Sequence, residues 1–317
     1  MKSIIVTGPT ATGKTTLATD LCRKFNGEII SADSRQVYRG LDIGTGKDLE
    51  DYQQDPAVNY YLIDSVNPND EFSLFDWRKG YIESFNQIIS SQKLPFTCGG
   101  TPLYIDMLLN DYELKGEKRG ESEKDLESLS LKELVEKLQK EFPKRAEKTD
   151  LTQKPRVIRA FEIESSTSEE IEALPDCEFL IIAPYWHRKI VHERIEKRLK
   201  ERWEGLKNEV LQLQESGVSH ERFEWFGLEY RYMSRLMTGK LSEKDAFDQL
   251  LIKIRQFAKR QDIWFRKIEN TGHVIHWLEQ DDKFGQAEEL ISRFLNNETL
   301  PEPAIKISQI TYGPRTQ

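Results

Sequence analysis

The chain has 317 residues, enough for two domains or for one large domain carrying an insertion. Hydrophobic residues make up 38% and charged residues 32%, a globular composition, and no run of about 18 apolar residues appears that would span a membrane. A net charge of −8 argues against a uniformly basic protein. Nucleic-acid binding depends on local patches, however, and six Lys/Arg stand against one Asp between Lys253 and Lys267.

The opening Met1-Lys2-Ser3-Ile4-Ile5-Val6 lacks the apolar core and small-residue cleavage site of a signal peptide, so a cytoplasmic protein is expected. It reads instead as a first strand, Ser3–Thr7. Further buried strands are expected at Glu28–Ser31, Tyr60–Ile63 and Leu94–Cys98, with another at Glu178–Ala183. Helical stretches such as Thr15–Phe25 and Phe75–Ser91 alternate with them, which predicts a parallel sheet flanked by helices. From Asn110 to about residue 168 the chain turns charged and helix-forming, opening at Gly116-Glu117-Lys118-Arg119-Gly120. The expected layout is a core over 1–111, a helical insertion over 112–168, the rest of the core and C-terminal helices over 169–300, and a loose tail over 301–317. The three cysteines, Cys22, Cys98 and Cys177, are far apart and form no CxxC pair, which argues against a disulfide framework or a zinc site.

Gly8-Pro9-Thr10-Ala11-Thr12-Gly13-Lys14-Thr15 fits GxxxxGKS/T and lies between the first strand and a helix-forming run. Backbone N–H groups of such a loop form an anion nest at a helix N-terminus, Lys14 adds a point charge, and the Thr15 hydroxyl can hold Mg²⁺. By itself the loop implies only a phosphate-bearing ligand. No NKxD guanine motif follows, and Asp64 is the nearest candidate for a Walker-B carboxylate. A second GxGK, Gly44-Thr45-Gly46-Lys47, has no strand before it and reads as a turn.

Asp33 ends the second strand, on the edge where parallel sheets place ligand crevices. It serves there either as a general base near the phosphate loop or as a helix N-cap, and spacing does not separate the two. The run His192–Trp203 reads as a charged amphipathic helix. A longer helix is expected from Glu243 to Lys267, with Ser242 and Asp245 resembling a capping box. Phe247, Leu250, Leu251, Ile254, Phe257, Ala258 and Phe265 recur at helical spacing and form its core face. Gln261 shares that face, as a satisfied core amide or as a group reaching the substrate channel. Arg255, Lys259 and Arg266 fall within about 40° of one another on the helix and make a ridge suited to tracking phosphates.

GPTATGKT, ISADSRQVYRGLDIGTGK and Gly99-Gly100-Thr101-Pro102-Leu103-Tyr104 together resemble the tRNA dimethylallyltransferase (tRNA isopentenyltransferase) family. Pro155–Ala160, His192–Arg198 and Arg255–Arg266 extend the resemblance in family order to about residue 268. It implies a P-loop NTPase-like parallel sheet flanked by helices, with a helical insertion that clasps tRNA and a helical C-terminal part. The implied reaction moves a dimethylallyl group from dimethylallyl pyrophosphate to the exocyclic amine of the adenosine 3′ of the anticodon, so the partner is the tRNA anticodon stem-loop, and a monomer is expected. The donor's pyrophosphate is assigned to Gly8, Thr10, Ala11, Thr12, Gly13, Lys14, Thr15 and Thr16, with Mg²⁺ on Thr15. Asp33 becomes the general base, Thr101 contacts the substrate near the reacting centre, and Arg198 stabilises the departing pyrophosphate. Asp33, Ser34, Arg35 and Gln36 face the tRNA, as do Arg156 and Arg159. Arg255, Lys259, Arg260, Gln261, Trp264 and Arg266 complete that set.

The chain departs from the family pattern at Gly227-Leu228-Glu229-Tyr230, where Gly-Tyr-Arg-acid or -amide is usual. It departs again at Ile254 for threonine, at Pro102 for a third glycine, and in the order Gln153-Lys154-Pro155-Arg156. The rival readings are an adenylate isopentenyltransferase acting on AMP, ADP or ATP, a small-molecule P-loop kinase, and a non-catalytic RNA-binding protein keeping the loop as a relic.

Overall fold

In the computed structural model of the protein, β1 (Lys2–Val6) lies deep inside the sheet, with Ile4, Ile5 and Val6 fully buried. A strand covered on both faces needs a continuous apolar run rather than alternation. The structure describes residues 1–110, 123–147, 149–165, 172–174 and 176–310. The charged stretch Gly116–Gly120 lies outside them.

β2 (Gly27–Ser31), β3 (Tyr60–Tyr61), β4 (Leu94–Cys98), β5 (Glu178–Pro184) and β6 (Ile275–Leu278) complete a parallel sheet in the order β3-β2-β4-β1-β5-β6. Register is set by pairs such as Ile4 with Phe96 and Ile5 with Ile181. This is the expected P-loop NTPase-like α/β architecture. One face packs α1 (Lys14–Lys24) against Ile4, Val6, Ile29 and Phe96, through Leu17 and Leu21. α2 (Leu49–Gln53), α3 (Leu74–Ser90) and α4 (Pro102–Asn110) follow in the N-terminal part.

Two strand expectations are corrected. β3 stops at Tyr61 rather than Ile63, because Leu62 and Asp64 take left-handed φ angles of 60° and 52°, which end a ladder. β6 was not expected, since its four residues are bracketed by helices and give too short a run to signal a strand.

The chain divides into two compact units. The first comprises Met1–Phe72, Gly80–Asn110 and Pro175–Gln317, and the second Ser73–Lys79 and Asp111–Leu174. Within the second unit lie α5 (Glu123–Ser128), α6 (Leu131–Glu141), α7 (Pro143–Glu147) and α8 (Lys154–Ser165). Its own core is built from Leu126, Leu134, Leu138, Val157 and Phe161. Ser130 and Glu133 close a reciprocal capping box at the start of α6.

The first unit continues through α9 (Arg188–Glu215), α10 (His220–Phe226), α11 (Leu228–Met237), α12 (Glu243–Asn270) and α13 (Lys283–Leu295). A second core joins them, with Leu199, Trp203, Val210, Phe223, Met233 and Leu250 among its buried members. The tail is corrected as well. Ile307 is buried, Glu269 accepts the Ser308 N–H at 2.6 Å, and Arg266 Nη1 donates to the Ile310 carbonyl at 2.9 Å, so residues up to Ile310 are held. Residues 311–317 lie outside the described set.

Candidate active site

The phosphate loop runs from the end of β1 into α1, whose N-cap Gly13 is left-handed. It is held from several elements of the same unit. Trp186 Nε1 donates to Thr12 O at 3.1 Å, and Arg194 Nε, on α9, donates to Ala11 O at 2.7 Å. Arg198 Nη2, one turn further along α9, donates to Thr10 Oγ1 at 2.8 Å. Gln261 of α12 does both jobs considered for it: it is a satisfied buried amide, and it lines the cavity.

Beside the loop, the β2 and β4 ends are drawn together at Gly99. A Cβ there would lie 2.2 Å from the Ala32 carbonyl oxygen, so only glycine permits the approach. The Thr101 N–H then donates to Ala32 O at 3.1 Å, and Thr101 Oγ1 accepts the Ser34 N–H at 3.0 Å. Asp33 Oδ1 accepts the Arg35 N–H at 2.9 Å, a cap-like turn, while among the described residues no donor engages Oδ2. The cap reading and the base reading therefore use different oxygens of one carboxylate.

These elements enclose a cavity of about 300 Å³. Thr10, Ala11, Gly13, Lys14, Thr15 and Thr16 line it from the loop side, and Asp33, Ser34, Arg35, Gln36 and Thr101 from the sheet edge. Arg198 and Gln261 close it from α9 and α12. Gly8 and Thr12 do not line it; Thr12 is buried behind the loop, its hydroxyl on Pro9 O.

Three cations, Lys14, Arg35 and Arg198, line the cavity together with three carboxyl groups, Asp33, Asp48 and Glu229. Burial pulls Lys14 down to about 8, with Arg198 adding to the effect and Cys98 and Asp33 opposing it. Burial, reinforced by Arg202, also depresses Arg198. Burial raises Glu229 above the usual carboxylate range, against the pull of Arg198, and pushes the Cys98 thiol up to about 12. Desolvated cations around an open cavity gain most from a polyanion, which restores the charged form each of them prefers. The Thr15 hydroxyl lines the cavity and makes no hydrogen bond among the described residues. A hard cation that takes one protein oxygen and completes its shell with phosphate oxygens and water fits that arrangement. No cluster of His, Cys, Asp or Glu able to hold a metal occurs among the described residues.

On α12 the expected RNA contacts other than Gln261 do not line the cavity. Arg255 pairs with Glu196 at 2.8 Å, and Arg266 with Asp262 at 3.1 Å as well as with the tail. Lys259 and Arg260 are exposed on α12, and Trp264 carries the Lys267 ammonium at 4.7 Å from its ring. Of the ridge Arg255–Lys259–Arg266, two cations are thus already engaged within the fold. Arg156 and Arg159 belong to the second unit, where they pair with Asp150 and Glu162. Asp64 is corrected as a metal partner: it is bound to the buried Lys47 and does not line the cavity. Lys47 also meets Asp42 at 2.6 Å, so Gly44–Lys47 is the expected turn.

Sequence reasoning missed Asp48, Phe226 and Glu229 as cavity residues. Glu229 had a signal, because it lies in the stretch that departs from the family pattern. Asp48 and Phe226 reach the cavity only through tertiary packing.

A strand, glycine loop and helix opening onto a cavity that Lys14 and Arg198 line define a P-loop α/β protein. The family model "IPP transferase" matches residues 36–268, and "Isopentenyl transferase" matches residues 1–65. The chain is 42% identical to tRNA dimethylallyltransferase 1 of Geotalea uraniireducens (strain Rf4), over 91% of this chain and 96% of that protein. It is 44% identical to tRNA dimethylallyltransferase 2 of Shewanella sediminis (strain HAW-EB3), over 91% and 97%. Among solved structures, the full-length tRNA isopentenylpyrophosphate transferase from Bacillus halodurans aligns with a TM-score of 0.68 at 30% identity, covering 93% of this chain and 97% of that one. A eukaryotic dimethylallyltransferase acting on tRNA aligns at 0.79 and 26% identity, covering 95% and 81%. The chain belongs to the IPP transferase family. No helix among the described residues is long and apolar enough to cross a membrane.

Proposed function

We propose that this protein transfers a dimethylallyl group from dimethylallyl pyrophosphate to the exocyclic amine of an adenosine in tRNA, the one 3′ of the anticodon, and releases pyrophosphate. The observation that carries the reading is the shared cavity of Asp33, Lys14 and Arg198, a proton acceptor facing two desolvated cations. The amine nitrogen attacks the donor's terminal carbon as the carbon–oxygen bond to pyrophosphate breaks. An adenine amine is a feeble nucleophile, so loss of its proton to Asp33 Oδ2 assists the attack, while Oδ1 stays fixed by the Arg35 N–H. The negative charge that develops on pyrophosphate is taken up by the loop amides, Lys14 and Arg198. Mg²⁺, held through Thr15 and the phosphates, would supply further charge neutralisation. The base must leave its stack to reach the cavity.

The test is incubation with labelled dimethylallyl pyrophosphate and either bulk tRNA or AMP. Label in tRNA alone is expected. Label in AMP alone would assign the protein to the free-nucleotide reaction instead.

A further inference from the structure

The stretch Gly44-Thr45-Gly46-Lys47 has the composition of a phosphate loop, yet what fills the turn it closes is another part of the chain. Glu209, on α9 and only 7% exposed, directs its carboxylate into the loop. Its Oε2 accepts the backbone N–H groups of Asp42 at 2.8 Å and Ile43 at 2.6 Å. Its Oε1 accepts the N–H of Gly44 at 3.1 Å and the hydroxyl of Tyr230 at 2.6 Å. Successive amides converging on one anion form a nest. Here the anion is a side chain, and its four charge-assisted bonds are of the strong kind.

The loop so held is a wall of the cavity, which Gly44, Thr45 and Gly46 all line. Its backbone is pressed between two neighbours. A Cβ on Gly44 would come within 2.6 Å of the Tyr230 ring, and one on Gly46 would lie 2.7 Å from Arg202 Nη1 and 3.7 Å from Arg198 Nη1. Asp48, at the loop's end, pairs with Arg202. Gln36 Nε2 donates to the Gly46 carbonyl at 3.1 Å. The Arg198 guanidinium therefore lies between this loop, on one side, and Thr10 of the phosphate loop, on the other.

We infer that Glu209 is a positioning residue: its carboxylate, seated in the amide nest of Asp42–Gly44, fixes the loop that holds the Arg198 guanidinium against the phosphate loop. The inference rests on reading the cavity as the donor site. Glu209 lines no part of the cavity; it reaches it through the loop and Arg198, and through Tyr230, whose hydroxyl it accepts and which lines the cavity.

The experiment measures inorganic pyrophosphate binding by calorimetry without RNA, and steady-state transfer to tRNA, in the full chain. Glu209→Gln turns an amide N–H₂ toward N–H donors. A folded variant is expected to lose on the order of ten- to hundred-fold in both pyrophosphate affinity and kcat, the scale of one charge-assisted hydrogen bond. The KM for tRNA should be unchanged. Glu209→Ala vacates the nest, and added formate should restore pyrophosphate binding saturably while leaving the wild type unaffected. Tyr230→Phe removes one of the donors and should give the same pattern at smaller size; because Tyr230 also lines the cavity, the loss counts for the inference only if Tyr230→Phe adds nothing in a folded Glu209→Gln background. Unchanged pyrophosphate affinity in a folded Glu209→Gln protein would overturn the inference. So would losses in Glu209→Ala that follow its melting temperature and ignore formate. If neither Glu209 variant folds, Tyr230→Phe decides, and wild-type pyrophosphate affinity there overturns it. A wild-type protein that binds pyrophosphate but prenylates no tRNA, with formate rescue intact, would remove the proposed reaction and support the inference.

Discussion

The side-chain oxygen of Gln261 accepts the backbone N–H of Thr10 at 2.9 Å, joining α12 to the phosphate loop across almost the whole chain. Its amide nitrogen donates to the Gly100 carbonyl at 2.6 Å, so one buried side chain ties the loop to the β4 end. Two walls of the cavity are thereby kept in register.

Gln261→Ala leaves both backbone groups without these partners, at a cost of about 1–3 kcal/mol. The expected result is weaker pyrophosphate binding together with a lower Tm, measured by calorimetry and thermal unfolding. Gln261→Glu keeps the acceptor and loses the donor, and should fall between wild type and alanine. Wild-type pyrophosphate affinity in the alanine variant would show the clamp to be dispensable.

Lys14 sets a pH limit. Burial lowers it to about 8 from its ordinary value, so in the free protein its charge is lost as pH rises through about 8. A bound polyanion favours the protonated form. Pyrophosphate affinity should therefore be full below about 8 and decline above it, while Cys98 is pushed up to about 12. Pyrophosphate titrations between pH 6.5 and 9.5, about the range that brackets the lowered value, should show this limb in wild type and not in Lys14→Ala. A pH-independent wild type would refute the assignment.

Asp33→Asn keeps the Oδ1 acceptor for Arg35 and removes the proton-accepting oxygen. Single-turnover transfer should fall on the order of 10²–10⁴-fold, the range for a general base. RNA affinity should change little. A variant that binds RNA poorly yet transfers at the normal rate would make Asp33 a cap alone.

The α12 cations should separate by their partners. Lys259 is exposed and makes no ion pair among the described residues, so Lys259→Ala should weaken tRNA binding and reduce the salt slope by about 1. Arg266 is bound to Asp262 and to the tail, so Arg266→Ala should act first on stability, by about 1–3 kcal/mol. Filter binding across a salt series, with Tm measured in parallel, distinguishes them. A Lys259→Ala protein with wild-type affinity and slope would exclude that face as an RNA contact.

The amino-acid sequence by itself determined the parts whose physics is local. The apolar runs of β1, β2, β4 and β5, the glycine loop between β1 and α1, and the periodic face of α12 are all encoded within single segments, although Phe257, expected in that core face, is exposed at the cavity instead. Asp33, Lys14 and Thr101 were legible as cavity residues because each is attached to such an element at the end that opens on the cavity. Tertiary structure alone decided what those elements meet. β6 is a strand only because β5 offers an edge for Ile275–Leu278 to pair with, and residues up to Ile310 are ordered by Glu269 and Arg266. The turn that opens the second GxGK, Asp42–Gly44, holds a carboxylate because α9 delivers Glu209 onto its amides from far along the chain. Arg198, one of many charges in the run His192–Trp203, lines the cavity because α9 packs across the phosphate loop. Hydrophobic period and turn chemistry act over neighbouring residues, whereas the pairing of charges and the desolvation that shifts Lys14 exist only once distant segments have closed on one another.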